Sequence, residues 1–91
     1  MGYNLDRFKN INMNLFVVFM AVYEENSFTK AAVKLGKGQP AVSNSIAKLR
    51  VLFNDRLFLM RFGVLTATAN AEKLANILVV LFQDLFKAIP N

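Results

Sequence analysis

Residues 27–58 read SFTKAAVKLGKGQPAVSNSIAKLRVLFNDRLF, and the spacing of their apolar positions decides the fold. Ser27 is suited to cap a helix, and Phe28, Ala31, Ala32 and Leu35 follow at helical spacing, with Gly36 where a left-handed residue ends such a helix. After Lys37 and Gly38 comes Pro40, suited to the first turn of a new helix because its missing N–H would have no partner there. That helix is expected to reach about Phe53, with Val42, Ile46, Leu49 and Phe53 on one face and Pro40, Asn44, Ala47, Lys48 and Val51 on the other. Two amphipathic helices joined by a glycine-containing turn of about three or four residues make a helix-turn-helix. Ala31 and Ala32 are slight enough to let the two helices cross closely. Spacing alone would also suit a generic small helical bundle.

On the N-terminal side, Leu15, Phe16, Phe19, Val22 and Tyr23 recur at helical spacing between about Asn12 and Glu25, which predicts a helix apolar nearly all round and therefore buried. On the C-terminal side, Leu57 to Met60 and Val64 to Thr66 flank Phe62 and Gly63, a pattern compatible with a small hairpin, the wing. From about Ala69 to Ile89, Leu74, Leu78, Leu81 and Leu85 alternate four- and three-residue steps, with Ile77, Phe82, Phe86 and Ile89 widening the stripe. So wide a stripe needs a cover. The expected cover is the same helix of a second copy, with Leu74, Ile77, Leu78, Leu81, Phe82, Leu85 and Phe86 at the interface, and packing back on its own domain is the other possibility. The expected architecture is mainly α: a winged helix-turn-helix over residues 1–68, with a small two-stranded wing, then a long C-terminal dimerisation helix over residues 69–91.

Ninety-one residues suffice for one small domain, and at 55% hydrophobic content the chain is richer in apolar side chains than a monomer of this size easily hides. Cysteine and histidine are both absent, which removes disulfides, thiolate metal sites and the usual general bases and nucleophiles. No metal, cofactor or catalytic residue is expected, and a cytoplasmic location fits better than a secreted one. Arg7 and Lys9 precede the apolar stretch Leu15 to Val22, but that stretch runs into Glu24 and Glu25 without a cleavage signal and is too short to span a membrane. The net charge of +5 is local: between Asn26 and Gly63, Lys30, Lys34, Lys37, Lys48, Arg50, Arg56 and Arg61 stand against Asp55 alone. A concentrated basic segment suits a polyanionic partner.

The segments SFTKAA, LG, QPAVSNSIAKLR and F-x-DRLF, at these spacings, resemble the N-terminal domain of LysR-type transcriptional regulators, and a weaker resemblance extends through ATANAEKLA. It covers about Met13 to Ile89 and is nearest to the branch that includes nodulation regulators. The resemblance implies a bacterial, cytoplasmic, nucleoid-associated regulator that binds double-stranded DNA sequence-specifically as a homodimer on an inverted repeat. It implies that the third helix, about residues 39–53, enters the major groove with Gln39, Pro40, Ser43 and Asn44 at base edges. Ser27, Thr29, Lys30, Lys37, Lys48, Arg50 and Arg61 are then the expected backbone contacts, Arg50 having the alternative of pairing with an acid such as Asp55. Gln39 and Asn44 can each pair with adenine through two hydrogen bonds. Family members continue into an effector-binding domain, whereas this chain stops at Asn91, so a small-molecule effector is expected to act only through a domain outside it. Two departures stand out: Lys37 and Gly38 replace an apolar residue and a capping Ser or Thr, and the wing keeps Arg61 alone among Leu59, Met60, Phe62 and Val64. The apolar wing is the ground for a rival expectation, a protein-interaction module with little residual DNA binding.

Overall fold

A computed structural model describes residues 2–90, so the outermost residues of the two expected segments, 1 and 91, lie outside the described residues. The first long helix, α1 (Asn14–Glu25), buries Leu15, Phe16, Val18, Phe19, Met20, Ala21 and Val22. A helix this apolar can sit only at the centre, and α2 (Phe28–Leu35), α3 (Gln39–Phe53) and α4 (Ala69–Ala88) all pack on it. A short 3-10 turn, Leu5–Arg7, precedes it. Each fully buried aliphatic or aromatic side chain stabilises by about 1.5–3 kcal/mol. Phe19, Val18 and Val22 from α1, Val42, Ile46 and Leu49 from α3, and Leu57 supply the fully buried set.

The helix ends follow from local chemistry. Asn26 ends α1 in the left-handed region (φ 53°), its N–H donating to the Val22 carbonyl at 2.8 Å. The Ser27 hydroxyl then accepts from the Lys30 N–H at 3.1 Å and caps α2. Gly36 (φ 65°) closes α2 with Lys37 N–H on the Ala32 carbonyl and Gly36 N–H on that of Val33, a paired bond pattern that needs a left-handed residue. Asn54 (φ 50°) closes α3 in the same way. The α2–α3 turn is thus a helix-turn-helix, and Ala31 and Ala32 are buried where the helices cross.

Strands β1 (Phe58–Arg61) and β2 (Val64–Ala67) pair antiparallel, Phe58 opposite Ala67 and Arg61 opposite Val64, and form the wing. The hairpin begins one residue later than its apolar run suggests, because Leu57 is no strand residue. It is fully buried with a left-handed backbone (φ 66°), its N–H donating to Asp55 and its carbonyl accepting from Thr68. Phe58 docks the wing on the core, its ring 5.3 Å from that of Phe19.

Two expectations need correction. Phe53, expected on the buried face of α3, is 39% exposed and meets Phe16 edge-on, with ring centroids 6.2 Å apart; it is the last residue of α3, where the helix ends at Asn54. Leu74 and Leu78, placed at the seam between copies, are instead buried in their own domain beside Ala71 and Ala75. Ala71, Leu74, Ala75 and Leu78 recur at helical spacing and so share the one face of α4 that is buried in the core. Phe82 is half-buried on the same core, whereas Ile77, Leu81, Leu85 and Phe86 stay exposed.

Candidate nucleic-acid interface

The apolar period of α3 puts Val42, Ile46 and Leu49 inside the protein and thereby turns Gln39, Pro40, Asn44 and Lys48 outward; Ser43 lies half-buried at the edge. Gln39 is tied to the start of α2, where the Thr29 hydroxyl donates to its Oε1 at 3.2 Å. Oε1 keeps a second lone pair and the amide nitrogen both its protons, so the group still has an acceptor and two donors to offer, enough for a two-bond contact.

The start of α2, the start of α3 and the wing meet around one open cleft of about 470 Å³. Ser27, Thr29 and Gln39 line it on the helical side, and Met60, Gly63 and Leu65 on the wing side. Lys48 lies about two and a half turns further along α3, in a groove shared with Asn10, Asn12 and Val51. The outward polar face therefore runs from wing to N-terminal segment.

Electrostatics separates the basic residues into two groups. Lys34 pairs with Glu24 at 3.2 Å and Glu25 at 3.6 Å, and the Glu24 carboxylate, through its hydrogen bond above all, holds the ammonium above its usual pKa. Among the described residues, Lys30, Lys37, Lys48 and Arg61 are exposed and pair with no carboxylate. Arg50 behaves differently from the expectation. Its Nε donates to the Arg56 carbonyl at 2.7 Å and its Nη2 to that of Phe58 at 3.2 Å, so it fastens the wing to α3 rather than pairing with Asp55.

Asp55 has its own task. Its Oδ2 accepts from the Leu57 N–H at 2.8 Å and the Thr68 hydroxyl at 2.6 Å, and its Oδ1 from Asn70 Nδ2 at 3.0 Å. These donors, Thr68 foremost, hold the carboxyl below the usual aspartate pKa. The Thr68 oxygen in turn accepts from the Ala71 N–H at 3.1 Å and caps α4. The end of α3, the root of the wing and the start of α4 are thus bracketed by one carboxylate. Composition and periodicity missed this bracket, although Thr68 standing just before an apolar-periodic run is a capping signal. Tyr23 adds a link between α1 and α4, donating to Glu72 Oε2 at 2.6 Å, and this bond to a carboxylate raises the phenol's pKa.

As in the expected hairpin, Met60, Phe62 and Val64 of the wing are exposed, Phe62 completely so. Gly38 precedes α3 without a side-chain cap. No helix among the described residues is long and apolar enough to cross a membrane.

Comparison with known proteins follows the same lines. Residues 13–72 match the family described as "Bacterial regulatory helix-turn-helix protein, lysR family". Over 64 residues the chain is 47% identical to HTH-type transcriptional regulator LeuO of Escherichia coli, an alignment spanning 70% of this chain and 20% of that protein. It is 46% identical over 69 residues to Nodulation protein D of a Bradyrhizobium strain, spanning 76% of this chain and 20% of that one. The chain therefore spans about a fifth of the length of these curated relatives. Among solved structures, the BenM_DBD/catB site 1 DNA complex superposes with a TM-score of 0.79 at 27% identity, over 86% of this chain and 88% of that one.

Proposed function

The chain belongs to the lysR family of bacterial regulatory helix-turn-helix proteins, and from that premise we propose that it binds duplex DNA sequence-specifically and regulates transcription as a dimer. In this reading α3 enters the major groove, and Gln39, Pro40, Ser43 and Asn44 meet base edges. Gln39 arrives pre-oriented by Thr29, and a bidentate Gln–adenine or Asn–adenine pair discriminates by about 1–3 kcal/mol. Lys30, Lys37, Lys48 and Arg61, with the hydroxyls of Ser27 and Thr29, take phosphates, which position the domain and supply most of the affinity. Arg50 holds the wing in place for that contact.

The observation that carries the reading is the division of α3: three core side chains on one face, and on the other an exposed polar row beside cations that no carboxylate among the described residues neutralises. The BenM_DBD neighbour, in complex with DNA, supports it by shared fold. Dimerisation uses the open apolar side of α4, with Ile77, Leu81, Leu85 and Phe86 facing a second copy and Leu74, Leu78 and Phe82 holding the helix to its own domain. Two such heads on one dimer suit half-sites one helical turn, about 34–36 Å, apart. The protein acts in the cytoplasm on the nucleoid, and a small-molecule effector works through a domain other than this one.

The test is selection from a random duplex pool followed by titration at several salt concentrations. An enriched inverted repeat and a steep salt dependence are expected, with Lys48→Ala lowering the log–log slope by about 0.9. No enriched sequence together with a flat salt response would return the chain to the class of protein-interaction modules, for which the exposed wing residues Met60 and Phe62 speak.

A further inference from the structure

The wing ends in an arrangement that folding does not ask for. Phe62 and Gly63 form its two-residue loop with φ of 51° and 75°, positive at both positions as a type I′ turn requires. Glycine, asparagine or aspartate suits the first of these, whereas phenylalanine must hold a left-handed backbone against its own side chain. Packing gives no compensation, since the ring is fully exposed at 105%. Strain kept at a surface tip with no contact to justify it is a signature of function.

The surroundings indicate what the ring meets. The wing forms one wall of the cleft whose other wall carries Thr29 and Gln39, so its tip belongs to the same side of the molecule as the outward face of α3. Residues 58–67 include no carboxylate, and Arg61, next to the ring, is an exposed cation free of any ion pair among the described residues. An apolar tip with a cation beside it suits a channel that has phosphates along its rims and stacked bases at its floor. It does not suit an open phosphate surface. A two-stranded hairpin closed by two residues is slender enough for its tip to approach a minor groove about 6 Å wide.

We propose that Phe62 is a base-step wedge: with α3 in the major groove, the wing tip enters the adjoining minor groove and the phenyl ring slides partly between two base pairs, unstacking and kinking that step. This rests on the DNA-binding reading above. Arg61 takes a phosphate on the groove's rim and holds the tip in place. The cost of unstacking depends on sequence and is least at pyrimidine–purine steps. The wedge therefore confers a preference at a position that α3 never touches.

Phe62→Asn tests this without endangering the fold, because asparagine favours the type I′ turn and the hairpin keeps or gains thermal stability. The probe is a duplex recovered from the random pool, synthesised as a series with 2-aminopurine at one adenine at a time; the dye brightens when unstacked. The wild-type chain is expected to brighten one step outside the bases covered by α3. Phe62→Asn is expected to abolish that signal, weaken binding roughly five- to a hundredfold and leave the preference at the α3 positions unchanged. Binding by wild type with no brightened position, or a Phe62→Asn variant that keeps both signal and affinity, overturns the wedge while leaving DNA binding intact, and assigns the wing tip to a protein partner. Failure to recover any duplex brings down both readings.

Discussion

Helices α3 and α4 both lay an apolar face on α1, yet their outward sides differ in kind. On α3 the outward row is Gln39, Pro40, Asn44 and Lys48, and on α4 it is Ile77, Val80, Leu81, Leu85 and Phe86. Neither row is used to close the core. Core packing constrains only the inward positions, so the outward ones specify what each helix meets: polar and cationic groups for a charged, hydrogen-bonding surface, aliphatic and aromatic ones for a surface that excludes water. One small domain thus carries two outward faces of unlike chemistry, and each can be altered without the other.

The largest separation of the two should come from Ile77→Asp combined with Leu81→Asp. Two apolar burials lost from an interface amount to about 3–6 kcal/mol, enough to give monomers in sedimentation while circular dichroism stays that of the folded domain. Leu78→Asp is the contrast, since it places a charge in the core and should unfold the chain. A double variant that keeps the wild-type mass would show that the outward side of α4 is not the seam. Asn44→Ala, on the other helix, should leave mass and stability alone and relax base preference at one position by about 1–3 kcal/mol, measured by competition between duplexes.

Between the two helices lies the Asp55 bracket, where effects should be smaller and should fall on stability. Thr68→Ala removes a cap of about 1 kcal/mol and should lower the melting midpoint by about 4–8 °C. Asp55 has a folded-state pKa below its unfolded value, so its contribution is complete above the unfolded aspartate range and disappears as pH falls through the folded pKa. Wild type and Asp55→Asn should therefore differ in stability near neutrality and converge below about pH 4, followed by denaturant melts across that range. The smallest effect is a gain. Gly38→Ser should add a few tenths of a kcal/mol by capping α3, because an added Cβ would meet only Pro40 Cδ at 3.6 Å.

The outline of this fold was legible because its signals are local. The Ser27 hydroxyl, the missing β-carbon of Gly36 and the ring of Pro40 each act at their own position, and the helical period of α2 and α3 is carried within a few turns. What failed was information that only tertiary contact contains. The leucine spacing of α4 announces an apolar stripe but not its cover, so Leu74 and Leu78 looked the same as Leu81 and Leu85 until α1 was set against them. Arg50 could be recognised as a side-facing cation, yet its partners are two carbonyls whose direction depends on the turn after α3. The outward groups of α3 were legible as a polar face, while the cleft that joins them to the wing was not.

The left-handed backbone of Leu57 has a consequence for tolerance to change. The residue is sealed in the core and pinned at φ 66° by hydrogen bonds at both its N–H and its carbonyl, so the position is selective for shape at the β-carbon. Isoleucine equals leucine in volume and oiliness, but branching next to the backbone clashes in this region. Here isoleucine carries a backbone penalty that methionine, similar in volume and unbranched at the β-carbon, avoids.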